Sequence, residues 1–424
     1  MIAASVVDEP PRGRATTVAP GLIVLIAWRN LWRNPRRTGL SIGAIGFAVA
    51  LLLFAMAQQA GNYTIMIDNA TGLLDGHLQI QRRGFRDDPR IGNTIEGAAG
   101  RVEALRSVVG VAAVTPRISA FVLASSHDRS VGTQLLGVAP RGEQTLSSLP
   151  DMIEEGRYLN GGAEAFAGAL LARNLGVTIG DEIVILGTAP SGGIAALVVT
   201  LVGTFSSGIA DIDRGLLEVP LDTVSEAFEL HDAAHTIVAR ATSVSRASAV
   251  AATLSKEVAH DEVVLEWNEL IPGLEQAIEL DRIFGQILFA LVAAIVTISV
   301  FNGFVMTIFE RTREFGTLLA IGMRASTVIG SLQMEACCLS AIGCAAGLVI
   351  GIPLVLWLER VGIPLGDAGE MMRAFHMADR MYPTLNVDVV VKPMALMILC
   401  TQLACFLPAL RVRRIQPVEA LRDA

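Results

Sequence analysis

Two apolar runs joined by a short charged stretch constrain this chain more than any other feature. Ile283–Phe309 holds 27 residues without a charged side chain, and Ala325–Leu358 holds a single charge, Glu335. About 20 consecutive apolar residues cross a bilayer as a helix, so each run is long enough to span. Between them lie Glu310, Arg311, Arg313, Glu314, Phe315, Gly316, Gly322 and Arg324. The pattern predicts a helical hairpin through a membrane, with a small structured turn at one face.

The chain as a whole is 52% hydrophobic and 17% charged, with a mean hydropathy of +0.53. That is too apolar for an ordinary soluble domain and too polar for an all-membrane bundle. A few spanning helices plus one soluble domain are expected. All five cysteines (Cys337, Cys338, Cys344, Cys400, Cys405) lie in apolar runs, so no disulfide framework holds the polar middle. Residues 59–282 carry 29 acids and 16 bases, while the remainder carries 12 acids and 17 bases. No basic face of useful size exists outside the membrane flanks, and nucleic acid is not an expected partner.

In chain order, residues 1–20 read as a disordered polar tail without the apolar core of a secretory signal. In residues 21–38, apolar side chains with Trp28 and Trp32 alternate with Arg29, Arg33, Arg36 and Arg37. This suits an amphipathic helix lying in the membrane interface, or else a plain basic flank to the next helix. The first span is 39–58, which has no charge. Its preceding arginines place the N-terminus in the cytoplasm by the positive-inside bias, so 59–282 lie outside. The second span, 283–309, returns the chain. Segment 310–324 is cytoplasmic, the third span is 325–358, an outer loop is 359–392, and the fourth span is 393–410. The tail 411–424, with Arg411, Arg413, Arg414 and Arg422, is cytoplasmic.

The outer segment reads as α+β. Helices are expected over Glu96–Arg106, Ala163–Leu175, Asp222–Phe228 and Val244–Val258. Strands are expected near Gln79 and over Ile118–Ala124, Gln134–Val138, Glu182–Leu186, Ala196–Phe205, Leu216–Val219, His235–Ala239 and Glu262–Glu266. One large domain, or two subdomains with a seam near 125–220, would fit the length. Helical periodicity continues outward from both flanking spans, over Ala60–Leu74 and from Leu274, so the domain is expected to sit on two helical stalks.

Few residues carry chemistry. With lysine only at 256 and 392 and no Gly-Lys pair, there is no phosphate-binding loop. His231 and His235 have the spacing of a metal pair but no following Glu, and a surface turn is the preferred reading. Ser125-Ser126-His127-Asp128 is a polar turn between strands, not a triad. No catalytic or metal residue is assigned. Glu335 is the one carboxylate in a predicted span, either structural at the interface or part of an ion relay. Gly343, Gly347 and Gly351 form a small-residue stripe suited to close helix packing, internal or between subunits.

Arg313-Glu314-Phe315-Gly316-Thr317-Leu318-Leu319-Ala320-Ile321-Gly322 resembles the cytoplasmic motif of FtsX-like ABC permeases, although Leu319 stands where a basic residue is common. Gln333-Met334-Glu335 with the glycine stripe, the tail Arg414–Arg422, and the start Ala27–Asn34 are similar to other parts of that family. Gly76–Ile80, Gln134–Val138 and Leu171–Glu182 look most like its lipoprotein-releasing branch. The resemblance implies a four-helix transmembrane permease: one span, a large MacB-like periplasmic α+β domain, then three spans, with helical stalks and a short cytoplasmic coupling helix. It implies a bacterial inner-membrane protein with both termini cytoplasmic. A separate ABC ATPase subunit would bind ATP and Mg, so no cofactor is expected in this chain and the chain itself is not an enzyme. A second permease, identical or paralogous, membrane lipids and a periplasmic lipoprotein chaperone are the other implied partners. Glu310, Arg311, Arg313, Glu314, Phe315, Gly316 and Gly322 would contact the ATPase, with Phe315 as the apolar anchor. The competing readings are an efflux or cell-wall-hydrolase-regulating permease of the MacB or FtsX type, and a four-span ligand sensor.

Overall fold

The computed structural model describes residues 20–364 and 380–414. The readings made for the first 19 residues, the centre of the 359–392 loop and the tail beyond Arg414 lie outside the described residues. The chain divides into a helical unit (up to Gly61, Asp281–Ile363, and from Tyr382) and an α+β unit (Asn62–Leu280 and Pro364–Met381).

The helical unit is built from α1 (Pro20–Leu31), α2 (Pro35–Ala70), α3 (Pro272–Glu310), α4 (Thr312–Ala320), α5 (Ala325–Val361) and α6 (Val387–Ala409), except that α2 beyond Gly61 and α3 before Asp281 belong to the α+β unit. Four of them, α2, α3, α5 and α6, are long and apolar enough to cross a membrane. The interfacial helix is shorter than the expected 21–38. It stops at Leu31, and a turn at Trp32–Asn34 precedes α2. Pro35 explains the break. Its missing N–H costs nothing at the first helical position, whereas its ring would clash inside a continuing helix. Thr38 Oγ1 donates to the Leu31 carbonyl at 2.6 Å and caps the end of α1.

The glycine stripe of α5 lies against α2. A Cβ on Gly343 would sit 2.6 Å from Ile45 Cγ2, and one on Gly347 would sit 2.6 Å from the Gly46 carbonyl oxygen. Gly351 faces Ala50 and Leu53. Only glycine allows backbones this close, so the stripe is used within the chain. The core behind it joins Ile45, Val49 and Leu52 to Val300, Phe304, Leu332, Ala336 and Met397.

The α+β unit is built on one ten-stranded mixed sheet. Its strands are β1 (Leu78–Arg82), β2 (Val111–Ser126), β3 (Arg129–Val138), β4 (Ile153–Gly156), β5 (Glu164–Gly168), β6 (Glu182–Thr188), β7 (Ile194–Phe205), β8 (Leu216–Pro220), β9 (Thr236–Ala241) and β10 (Glu262–Glu266). The order is β10-β1-β9-β2-β3-β8-β5-β7-β4, and β6 pairs with both β2 and β7. The pairings β2-β3-β8-β5-β7-β6-β2 therefore close into a six-stranded barrel. Ile118, Val122, Leu135, Ile183, Val199 and Leu217 fill it. The remaining layer, β10-β1-β9 and the start of β2, packs Leu78, Ile80 and Ile237 against helices Ala98–Arg106 and Ala247–Leu254.

The two halves share the 16-residue β2. It pairs with β9 from Val111 to Arg117 and with β3 from Arg117 to Ser126. The barrel half thus runs from Arg117 to Pro220, which overlaps the 125–220 stretch expected for the seam.

Two helix expectations are corrected. Residues 163–175 form β5 followed by a helix at Ala169–Leu175. The Ala-rich start favours a helix locally, but Ala165–Gly168 is fully buried between β7 and β8. A strand covered on both faces shows no alternation in sequence. Val244–Val258 shortens to Ala247–Leu254 after a 3₁₀ turn. β4 was not foreseen, because its residues are all exposed and mostly polar.

His235 is also corrected. It is buried, not on a surface turn. Its Nδ1 accepts from the Ser119 N–H at 3.1 Å, Nε2 lies 2.9 Å from the Ile91 carbonyl oxygen, and its ring stacks on Phe85. Burial lowers its pKa. Both ring nitrogens are engaged, so it cannot pair with His231 on a metal.

Candidate functional site

The charged residues flagged in the sequence converge at one end of the helical unit. Short helix α4 follows α3 after a break at Arg311 and ends in a Schellman turn. The Met323 N–H reaches the Leu318 carbonyl at 3.0 Å and the Gly322 N–H reaches the Leu319 carbonyl at 3.1 Å. Gly322 has φ +97°, a left-handed conformation that glycine adopts without the Cβ penalty. This turn separates α4 from α5.

Two ion pairs tie this segment to the chain around α1. Arg33 Nη2 lies 2.6 Å from Glu314 Oε1, and Arg37 Nη1 lies 2.8 Å from Glu310 Oε2. The hydrogen bond from Arg33 holds Glu314 below the usual carboxylate range and raises the Arg33 pKa. Arg311 bridges inward, with Nε 3.1 Å from Glu314 Oε2 and Nη1 3.2 Å from Glu335 Oε2. The guanidinium also lies over the Phe315 ring, 5.1 Å from its centroid. Glu335 is thus a buried ion-pair partner of Arg311. A small cavity of about 30 Å3 beside it is lined by Arg37, Ser41, Thr307 and Glu335, enough for about one water. From α6, Arg411 reaches over the Phe309 ring at 5.9 Å.

The side chains of α4 divide into two faces. Phe315 and Gly316 are buried. Phe315 is 1% exposed and packs with Leu31, Ile308 and Val328. The expected exposed anchor is therefore a core residue. At helical spacing from Phe315, Leu319 is partly covered, while Arg313, Thr317, Ala320 and Ile321 face outward. Ile321 is 79% exposed, and Arg313 forms no ion pair with another described residue. Sequence reasoning missed Ile321 because it placed the anchor by motif position, not by face. It also missed Arg37 as the partner of Glu310, although opposite charges assigned to one membrane face were the available signal.

On α1, Trp28 and Trp32 are about half exposed, 6.0 Å apart and edge-to-face. Arg29 is exposed beside them, while Ala27 and Leu31 are buried. The helix therefore has one face on the protein and one aromatic-basic face free. Among the described residues, no group of three or more His, Cys, Asp or Glu is arranged to hold a metal.

Four spanning-length helices, an intervening α+β unit and a short charged helix between the second and third spans fit the architecture of a membrane permease subunit. The FtsX-like permease C-terminal model matches residues 286–417, and the MacB-like periplasmic core domain model matches residues 38–257. The chain belongs to the FtsX-like ABC transporter permeases that carry a MacB-like periplasmic core domain, and the four-span ligand sensor is set aside. It is similar to the lipoprotein-releasing system transmembrane protein LolC of Neisseria meningitidis, at 24% identity over 329 residues, 74% of this chain and 78% of that protein. It is also similar to the macrolide export ATP-binding/permease protein MacB of Nitrobacter winogradskyi, at 26% identity over 418 residues, 93% of this chain and 59% of that protein. The crystal structure of the periplasmic region of MacB from Actinobacillus actinomycetemcomitans aligns at 13% identity with a TM-score of 0.36, over 50% of this chain and 97% of that one.

Proposed function

We propose that this permease works with a separate ATPase, which binds ATP and Mg, and that it releases lipoproteins from the bacterial inner membrane. The observation that carries the coupling is the double link Arg33–Glu314 and Arg37–Glu310. It joins α4 to the chain between α1 and α2, so a push on α4 is a push on both. The face left over, Arg313, Thr317 and Ile321 with Gly322, has the charged rim and apolar centre of a protein contact. In this reading both termini and α4 are cytoplasmic and the α+β unit is periplasmic.

A second permease, identical or paralogous, completes the complex. Only 11% of the most apolar window of α3 is buried, against 39% for α2 and α5. That bare helix suits lipid or a partner permease. The similarity to LolC, a lipoprotein-releasing system protein, supports lipoprotein cargo, and a released lipoprotein would need a periplasmic chaperone to cover its acyl chains. Export of a small amphiphile is the second reading, supported by the longer span of the MacB match.

The test is co-purification from native membranes in detergent, with and without Arg313→Glu and Ile321→Asp. An ATPase recovered with the native chain and lost with both variants is expected. Retention by both variants would move the contact elsewhere. Reconstituted with its co-purified partners, the complex is expected to release a labelled lipoprotein in an ATP-dependent way. ATP-driven movement of a macrolide with no lipoprotein release would favour export.

A further inference from the structure

A cavity of about 880 Å3 lies within the α+β unit, inside the ~300–1,000 Å3 range of small-molecule sites. Its apolar wall comes from three places distant in sequence: Ile65, Met66 and Leu73 at the end of α2 and the π-helical turn after it, Ile212 in the helix Ala210–Gly215, and Leu270 just before α3 with Leu274 in its first turn. None of this surface is used by the coupling site.

Charge on the wall is uneven in its pairing. Asp68 is engaged by His77 Nε2 at 3.0 Å, and Asp75 Oδ1 accepts from Gln79 Nε2 at 3.2 Å. Arg240, half-buried on β9, also lines the cavity and forms no hydrogen bond or ion pair through its side chain with another described residue. Arg380 lines it as well. A half-buried guanidinium without a protein partner, set beside apolar surface, is costly unless an anion or water meets it. The two acids on the cavity wall, Asp68 and Asp75, already have donors of their own.

We propose that this cavity binds a long-chain amphiphile with an anionic head, its acyl chain along the Ile65–Leu73, Ile212 and Leu274 wall and its carboxylate or phosphate at Arg240. A bidentate hydrogen bond from the guanidinium fits either head. The cavity shares no residue with the ATPase contact, and the experiment below reads lipid labelling, not lipoprotein release, so its failure would leave the proposed function standing.

Full-length permease in phosphatidylcholine nanodiscs is irradiated with a diazirine-bearing palmitate, a diazirine-bearing phosphatidylglycerol, or a neutral diazirine-bearing monoacylglycerol, and the adducts are mapped by mass spectrometry. At least one anionic probe is expected to label 62–75, 207–212 or 270–274 at several times the neutral level. Ile212→Trp, which fills the cavity, is expected to cut that labelling about tenfold, and Leu274→Trp provides a second plug should the first disturb folding. Arg240→Gln is expected to remove the preference for the anionic probe. Labelling by palmitate alone identifies a free fatty acid, and labelling by phosphatidylglycerol identifies a membrane lipid. Equal labelling by neutral and anionic probes, insensitivity to Arg240→Gln and both plugs, or adducts confined to the exposed face of α3 would overturn the proposal.

Discussion

The chain uses the same chemistry, an arginine on a glutamate, in two opposite ways. In the α+β unit, Arg117 grips Glu143 in two places and also donates to the Leu74 carbonyl, with side chains 4% and 0% exposed. Burial works against the Arg117 charge, but Glu143 beside it raises its pKa overall. Glu218 lies close by, also buried, and accepts from the Tyr158 hydroxyl at 2.9 Å. Burial and the neighbouring Glu143 push Glu218 up to about 8. In the helical unit, Arg33 and Glu314 are 59% and 43% exposed. A dry pair cannot part without stranding a charge, whereas a wet one can trade its partner for water. The first suits a joint that must hold, at the point where β2 passes from one half of the sheet to the other. The second suits a link that must change partners during a transport cycle.

The largest effect that tests this contrast is Arg117→Met. It leaves Glu143 buried without its cation and is expected to cost about 3–5 kcal/mol, read from denaturant unfolding of the α+β unit by limited proteolysis. A loss of similar size from Arg33→Met would break the contrast.

A second test sharpens it through pH. The unfolded Glu218 gives up its proton near the ordinary value of 4.5, whereas the folded one keeps it to about 8. The folded state therefore binds the extra proton between those values, and stability of the α+β unit falls as pH rises across that window. The expected fall is about 1.4 kcal/mol for each pH unit of that window, and Glu218→Gln should flatten it. An unchanged slope would mean that another group titrates there.

The smallest effect concerns the wet pair. A double-mutant cycle with Arg33→Gln and Glu314→Gln should give a coupling of about 0.2–1 kcal/mol, weakened by salt. Because the folded Glu314 pKa is lowered, this contribution is complete above its ordinary range and disappears as pH falls through the lowered value. A coupling above ~2 kcal/mol would place this pair with the buried one.

The spans were legible because hydrophobicity is written locally. An uncharged run such as Ile283–Phe309 has few alternatives to a helix in lipid. Most strands of the α+β unit were legible for the same reason, since β-branched runs such as Val198–Thr200 favour extended backbone, although their alternation in burial is not written in the sequence. β5 failed because a strand buried on both faces has no alternation to read. Phe315 failed because its burial depends on Leu31 and Val328, which approach only after the helices pack.

By itself, then, the sequence determined that this protein has four spanning helices around a polar insert, a charged turn after the second span, and a glycine face on the third. Those properties depend on composition and on spacing of a few residues. The tertiary structure alone decided that β2 closes a barrel, that the glycine face meets α2, that Glu335 pairs with Arg311, and that Glu314 answers Arg33 across 281 positions. Each of these is a choice of partner. A partner far along the chain is selected by how whole elements pack, and no local pattern records it.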